Sequence, residues 1–94
     1  MAEFRFDGKV LKNRNGQTVG DTDGKRIRDG RYETVGDIDG MKIRDRNLHV
    51  VADFDGKTIR DARLARLGTI DDVKRVIDGP GGISLVALWV LLVR

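Results

Sequence analysis

The sequence predicts an all-β domain built from short hairpin repeats. The first observation is an Asp-Gly pair that recurs every 16 residues, with its aspartates at Asp23, Asp39 and Asp55. The second is that apolar residues recur in register with this pair, as expected when successive copies share one core. The third is composition, because twelve glycines against one proline indicate many tight turns. A chain of 94 residues forms one domain.

The repeat extends well beyond the dipeptide. The stretches GDTDGKRIRD, GDIDGMKIRD and ADFDGKTIRD align without a gap. A related copy, FRFDGKVLKN, precedes them, and a worn copy follows in which Asp72 replaces the glycine. The predicted repeats are residues 4–19, 20–35, 36–51, 52–67 and 68–78, followed by a linker at 79–82 and an apolar segment at 83–94.

A unit of this length holds at most two short strands, so the copies must pack on each other or around a shared axis. We therefore expect about five β-hairpins around a pseudo-symmetry axis, with the apolar C-terminal segment as a plug. An open β-solenoid with one repeat per coil is the alternative architecture. In that arrangement equivalent residues would form straight ladders, and the apolar segment would cover one end.

The Asp-Gly pair is a strong signal for a type I′ hairpin turn, which needs positive φ at both central residues. Apolar residues on either side of the turn alternate with polar ones and form the predicted core. The core columns are Leu11, Ile27, Ile43 and Ile59; Phe6, Ile38, Phe54 and Ile70, with Thr22 as the odd member; and Val19, Val35, Val51 and Leu67. A column of small residues predicts close backbone approach: Gly20, Gly36, Ala52 and Gly68.

The second turn of each unit departs from this regularity. Asn15-Gly16 is another hairpin signal, but the position of Gly16 is taken by Tyr32, Leu48 and Leu64 in the next three copies. A large side chain with positive φ is strained, so either the turn type changes or these side chains turn inward. They are then a cap on one end of the core, or an exposed apolar rim used for self-association or for a protein partner.

The unit D-x-D-G-x-x-I-R-D, repeated at 16 residues and followed by a short apolar tail, resembles the β-flower proteins. The resemblance covers residues 4–78 and, less closely, the tail. It implies a small bacterial protein in which hairpin petals surround a pseudo-symmetry axis, in a five-fold or a four-fold form. Five copies fit the five-fold form better. The resemblance transfers no activity and no catalytic residue.

The apolar tail, ISLVALWVLLV, follows a DGPGG break. It is too short to span a membrane, which takes about 20 residues in a helix. An element that is apolar on every side is buried on every side, either at the hub of its own chain or between chains. Leu, Ala and Trp favour a helix, Val and Ile favour a strand, and we expect a helix. The hub or interface residues are Leu85, Leu88, Trp89 and Leu92.

No metal site is predicted. Counted from Asp37, the stretch lacks the oxygen ligand at position 5, the glycine at position 6 and the glutamate at position 12 of a calcium-binding loop. The repeated aspartates are better explained as turn residues that accept backbone hydrogen bonds. Ringed carboxylates could hold a cation between repeats, but an arginine column offers them a simpler partner in a surface charge ladder: Arg28, Arg44 and Arg60.

Catalysis and nucleic-acid binding are both disfavoured. The single histidine, His49, lies beside a variable turn, the single serine, Ser84, lies inside the apolar tail, and there is no cysteine. Acidic and basic residues are interleaved at a net charge of +3, and most aromatic residues fall in core columns rather than on a stacking surface. No cofactor is predicted.

The remaining function class is a non-catalytic structural or protein-interaction module. Binding of a small ligand, an anion or a metal by the repeated Asp and Arg columns is the alternative. The N-terminus carries no basic stretch followed by an apolar one, so we expect a cytoplasmic protein.

Overall fold

The computed structural model describes residues 3–80 and 82–93. Gly81 of the predicted linker and Arg94 at the end of the predicted apolar segment lie outside the described residues. Ten strands, two α-helices and a π-helical turn make up the described chain. The strands are Phe4–Phe6 (β1), Val10–Asn13 (β2), Thr18–Thr22 (β3), Arg26–Asp29 (β4), Thr34–Asp39 (β5), Lys42–Asp45 (β6), Val50–Phe54 (β7), Thr58–Asp61 (β8), Arg66–Thr69 (β9) and Ile77–Asp78 (β10). The helices are Ile70–Val76 (α1), Ile83–Leu88 (α2) and the π-helical turn Trp89–Val93.

All ten strands belong to one sheet, in which chain neighbours pair as antiparallel hairpins from β1 to β9. The short strand β10 returns to the beginning of the chain and pairs parallel to β1. The all-β prediction is therefore confirmed at the level of hairpin-like antiparallel strands in a single sheet. The sheet is open, since β9 and β10 are its two outer strands. The solenoid alternative is wrong, because strands at equivalent positions of successive units are not neighbours.

The predicted core columns lie inside. Leu11, Ile27, Ile43 and Ile59 are fully buried, each on the second strand of its hairpin. The column that precedes the Asp-Gly turn is also buried from Phe6 to Phe54, and its odd member Thr22 is only 4% exposed. Val19, Val35, Val51 and Leu67 are half-buried and pack against this core. Alternation with period two thus identified the inner face of the sheet correctly.

The predicted type I′ turn is wrong. Gly8, Gly24, Gly40 and Gly56 have positive φ, but the aspartates that precede them do not. The two central residues of the fourth such turn are Gly56 and Lys57, since the Asp55 amide donates to the Thr58 carbonyl. Positive φ at the first central residue alone is the requirement of a type II′ turn. Asp7, Asp23 and Asp55 flank their turns and accept backbone hydrogen bonds instead of occupying the centre.

The C-terminal apolar segment is helical and lies inside the sheet. Leu85, Val86, Ala87 and Leu88 are fully buried in the same cluster as the strand columns. The small-residue column makes room for it. A Cβ on Gly20 would collide with the Leu92 side chain, and a Cβ on Gly36 would come within 2.7 Å of Leu91. A Cβ on either glycine would also collide with a neighbouring backbone carbonyl, that of Arg28 or Arg44, so the predicted close backbone approach is present together with an approach of the tail.

The fifth copy does not form the predicted hairpin. After β9 the chain enters α1, where the first four copies turn into their second strand. Thr69 and Asp72 form a capping box, with the Thr69 amide donating to Asp72 at 2.9 Å. Asp72 occupies the position of the turn glycine, so the left-handed turn residue is lost and a helix cap replaces it. The helix joins β9 to β10 without extending the ladder beyond β9.

Candidate interaction surface

The second turns of the four hairpin units share one hydrogen-bond pattern. In the second unit, the Asp29 amide donates to the Glu33 carbonyl and the Tyr32 amide donates to the Asp29 carbonyl. The Asp29 carboxylate accepts from the amides of Arg31 at 2.8 Å and Glu33 at 3.2 Å. Asn13, Asp45 and Asp61 make the equivalent contacts in the other units. Four side-chain anchors therefore hold four similar turns.

This pattern is a three-residue hairpin loop whose last residue is left-handed and generates a bulge in the ladder. The strand pair that flanks each of these turns has one register shift. It lies between Leu11 and Lys12 in the first unit and at the equivalent positions in the next three. The left-handed position is Gly16, with φ of 79°. In the following units it is taken by Tyr32, Leu48 and Leu64, with φ of 64°, 65° and 66°. These are the only non-glycine residues with positive φ in the described chain.

The side chains at these three positions point into solvent. Tyr32 is 65% exposed, Leu48 61% and Leu64 69%. The expectation that such residues would change the turn type or turn inward is therefore wrong, and so is the reading in which they cap the core. The anchoring aspartates fix the loop, and the left-handed residue is held in place whatever its side chain. We call the three residues the apolar rim.

Arginines accompany the apolar rim. Arg31, Arg46 and Arg63 lie on the same three turns, and Arg66 follows the last of them. All four are exposed. The guanidinium of Arg28 lies 5.2 Å from the centre of the Tyr32 ring, within cation–π range. Successive turn tips are two strands apart, so the rim extends over a distance on the order of 20 Å.

The Asp and Arg columns form ion pairs across the hairpins, as the charge-ladder interpretation predicts. Arg28 Nε and Nη2 donate to the two carboxylate oxygens of Asp21 at 2.7 and 2.8 Å. Arg44 binds Asp37 in the same bidentate way at 2.7 Å. The hydrogen bond to its carboxylate raises the pKa of each of these arginines. In two of the three central units, the second and the third, the charge of the column arginine is therefore already neutralised by an aspartate.

The third central unit differs. Arg60 lies opposite Asp53 in the ladder but binds Asp55 at the turn, at 3.2 Å. Backbone hydrogen bonds from Thr58 and Lys57, with a smaller contribution from Arg60, lower the pKa of Asp55 to about 2. The charge ladder is thus a set of separate pairs and not a continuous stack of carboxylates. Among residues 3–80 and 82–93, no group of three metal-ligating side chains is present.

The other residues considered from sequence are dispersed. His49 is exposed on the third turn, and Ser84 lies half-buried in α2. Leu85 and Leu88 are fully buried in the core of their own chain, whereas Trp89 and Leu92 are half-buried against it. Within the described part of the chain, no helix is long and apolar enough to cross a membrane.

Sequence reasoning missed one departure from the repeat. Arg5 lies directly opposite Lys12 in the first hairpin, at the position where Asp21 faces Arg28 and Asp37 faces Arg44. The 16-residue spacing contained the signal, because Arg5 is one period before Asp21. Together with Arg14, these two side chains line a groove of about 290 Å³. Among the residues that the structure describes, these cations of the first unit therefore form no ion pair, whereas the next two units have one at the equivalent position.

Comparison with protein-family models, with curated proteins and with solved structures finds no match to this chain. The assignment of a function therefore depends on the surface described above.

Proposed function

We propose that this chain is a non-catalytic interaction module that binds an acidic protein partner through the apolar rim. The observation that carries the proposal is the left-handed backbone at Tyr32, Leu48 and Leu64. A left-handed conformation is unfavourable by roughly 1–2 kcal/mol for a residue with a Cβ. Glycine occupies the same position in the first unit without this strain. Three large exposed apolar residues in strained positions serve no evident purpose in folding.

Charge favours an acidic partner over a second copy bound rim to rim. Four exposed arginines lie on or beside the rim turns, whereas Glu33 is the one acidic residue that follows a rim residue. The aspartates that begin these turns are half-buried and accept hydrogen bonds from backbone amides, so the arginines carry the more exposed charges. Two rims in a symmetric dimer would bring arginines against arginines, because an isologous interface apposes the same patch. A partner with acidic groups around an apolar patch would instead complement both the apolar side chains and the positive charge of the rim.

The proposal involves no catalytic step and no cofactor. His49 and Ser84 lie on different elements, one on an exposed turn and one inside the tail. We also propose membership of the β-flower family, with its bacterial origin, and a cytoplasmic location. The 16-residue unit supports the family assignment, as do the antiparallel hairpins and the apolar helix α2 that is buried in the same core. A flower arrangement is the finer form of this proposal, with the four hairpins as its petals, since the fifth copy forms α1 instead.

The experiment compares the natural chain with a triple variant carrying Tyr32→Ser, Leu48→Ser and Leu64→Ser. Fluorescence anisotropy would follow a labelled peptide composed of Glu, Leu and Phe, with light scattering on each protein alone. Met41→Ser is the matched control, since Met41 is 55% exposed on the opposite turns. We expect salt-sensitive binding by the natural chain and the control, and its loss in the triple variant with unchanged melting temperature.

A dimer that the triple variant abolishes would assign the rim to self-association and contradict the acidic-partner proposal. Equal peptide binding by all three proteins would show that the rim is not the binding surface.

A further inference from the structure

We propose that the first hairpin binds a phosphate group in the groove beside Arg5, Lys12 and Arg14. This site is separate from the apolar rim and does not depend on the function proposed for it. Its origin is a charge reversal within the repeat. Where the second and third units place an aspartate opposite an arginine, the first places Arg5 opposite Lys12.

Like charges that face each other across a strand pair are destabilising unless a counter-charge is present. In the second and third units an aspartate faces the arginine, and its carboxylate makes bidentate contacts of 2.7–2.8 Å with the guanidinium. Within the described residues, Arg5, Lys12 and Arg14 have no carboxylate within 4.0 Å. An oxyanion between Arg5 and Lys12 would take the place of the missing aspartate.

The shape of the surface suits such a ligand. The groove runs over the first hairpin and its second turn, and Gly16 carries no side chain where the next units have Tyr32, Leu48 and Leu64. Its volume of about 290 Å³ exceeds that of one phosphate group, and the half-buried Phe4 is among the residues that line it. The groove therefore has room for a phosphate ester with a small substituent as well as for the free ion.

Two acidic residues also line the groove, namely Glu3 and Asp78. Asp78 is the register partner of Arg5 on β10, the strand on the other side of β1 from Lys12, but the two side chains form no ion pair within 4.0 Å. Three cations against two acids leave a positive excess of one charge. Arginine offers a planar fork and lysine a compact point charge, and both are common phosphate ligands.

The experiment measures thermal unfolding and amide chemical shifts during titration with sodium phosphate and with phenyl phosphate, at ionic strength held constant with sodium chloride. At ten times the dissociation constant we expect the melting temperature to rise by about 5 °C or more. The largest shift changes are expected at Arg5 and Lys12. Arg5→Gln and Lys12→Gln should each remove the response. Arg63→Gln, on the fourth turn, is the matched control and should retain it.

Stronger binding of phenyl phosphate would support the site and assign the ligand as a phosphomonoester, and equal binding would support it as a site for phosphate itself. An equal response in all variants would indicate general ionic effects and overturn the proposal. So would the absence of any response to either compound.

Discussion

Two positions of the repeating unit treat glycine in opposite ways. On the inner face, Gly20 and Gly36 are present because a Cβ would collide with the tail or with neighbouring backbone. On the second turn, a Cβ at Gly16 would meet no atom within 4 Å, yet the next three units place Tyr32, Leu48 and Leu64 there at positive φ. Between these two positions, glycine is kept more often on the inner face, where packing restricts the side chain, than on the second turn, where only the backbone conformation favours it.

The comparison separates residues that maintain the fold from residues that do not. At the inner position, the absence of a side chain lets the tail pack directly on the sheet. Strain at the outer position is tolerated because the aspartate anchors fix the loop, and it leaves large apolar groups in solvent. Strain that persists at an exposed surface is a reason to look for function there.

The largest effect expected is on the inner side. Leu88→Ala removes a fully buried tail side chain and should reduce the free energy of unfolding by about 2–5 kcal/mol. Leu64→Ala, the matched control on the rim, should change it by no more than about 0.5 kcal/mol. Urea denaturation of both variants measures the difference. A larger loss for Leu64→Ala would reverse the comparison.

A smaller effect is expected when a methyl group is added to the inner face. The Cβ of Gly36→Ala would meet the Arg44 carbonyl and the Leu91 side chain, so we expect a loss of about 1–3 kcal/mol. Ala52→Gly is the reciprocal control, because the fourth unit already accepts a methyl at the equivalent position. Calorimetric melting should show Gly36→Ala well below Ala52→Gly. Equal melting temperatures would mean that the tail does not need the glycine.

The outer position can be tested by transferring a rim residue to the first unit. Gly16→Leu should be destabilising by about 1 kcal/mol, because left-handed strain outweighs the lower entropy of the unfolded chain. Gln17→Leu adds the same side chain to the next position and is the control. Chemical denaturation distinguishes the two. Unchanged stability in Gly16→Leu would show that the strain inferred at the rim is absent.

The smallest effect concerns the Asp-Gly turns on the opposite side. Asp55 has its pKa lowered to about 2 in the folded chain, from an ordinary value of 3.8. Its ionised form therefore contributes stability above pH 3.8, and this is lost as the pH falls towards 2. The melting temperature of Asp55→Asn should depend less on pH over this window than that of the natural chain. Asp53→Asn serves as control, and an identical profile for Asp55→Asn and the natural chain would contradict the assignment.

Much of the fold could be predicted from the sequence, because period-two alternation within a 16-residue repeat identifies the inner face. The core residues Ile27, Ile43 and Ile59 were predicted in this way. The fifth unit could not be predicted from the alignment alone. Its helix begins where Thr69 and Asp72 form a capping box, and a local cap overrides the repeat once the turn glycine is absent.

The candidate surface was only partly predictable. The 16-residue spacing identified Tyr32, Leu48 and Leu64 as equivalents of Gly16. The expectation that the chain would avoid a strained left-handed backbone there was wrong, because all three residues have positive φ. In each turn the anchoring side chain binds amides two and four residues ahead, and these bonds hold the left-handed residue in place. The cation pair of Arg5 and Lys12 was overlooked because it depends on which residues face each other across the ladder.

The central claim is that the apolar rim does not stabilise the fold. It is tested most directly by the free energy of unfolding of a triple variant carrying Tyr32→Asn, Leu48→Asn and Leu64→Asn. Asparagine tolerates the left-handed conformation better than leucine or tyrosine. Relief of strain should exceed the lost contact between Tyr32 and Arg28, so the account predicts an increase of about 1 kcal/mol. A decrease of about 1 kcal/mol or more would show that the rim residues maintain the fold and would contradict the account.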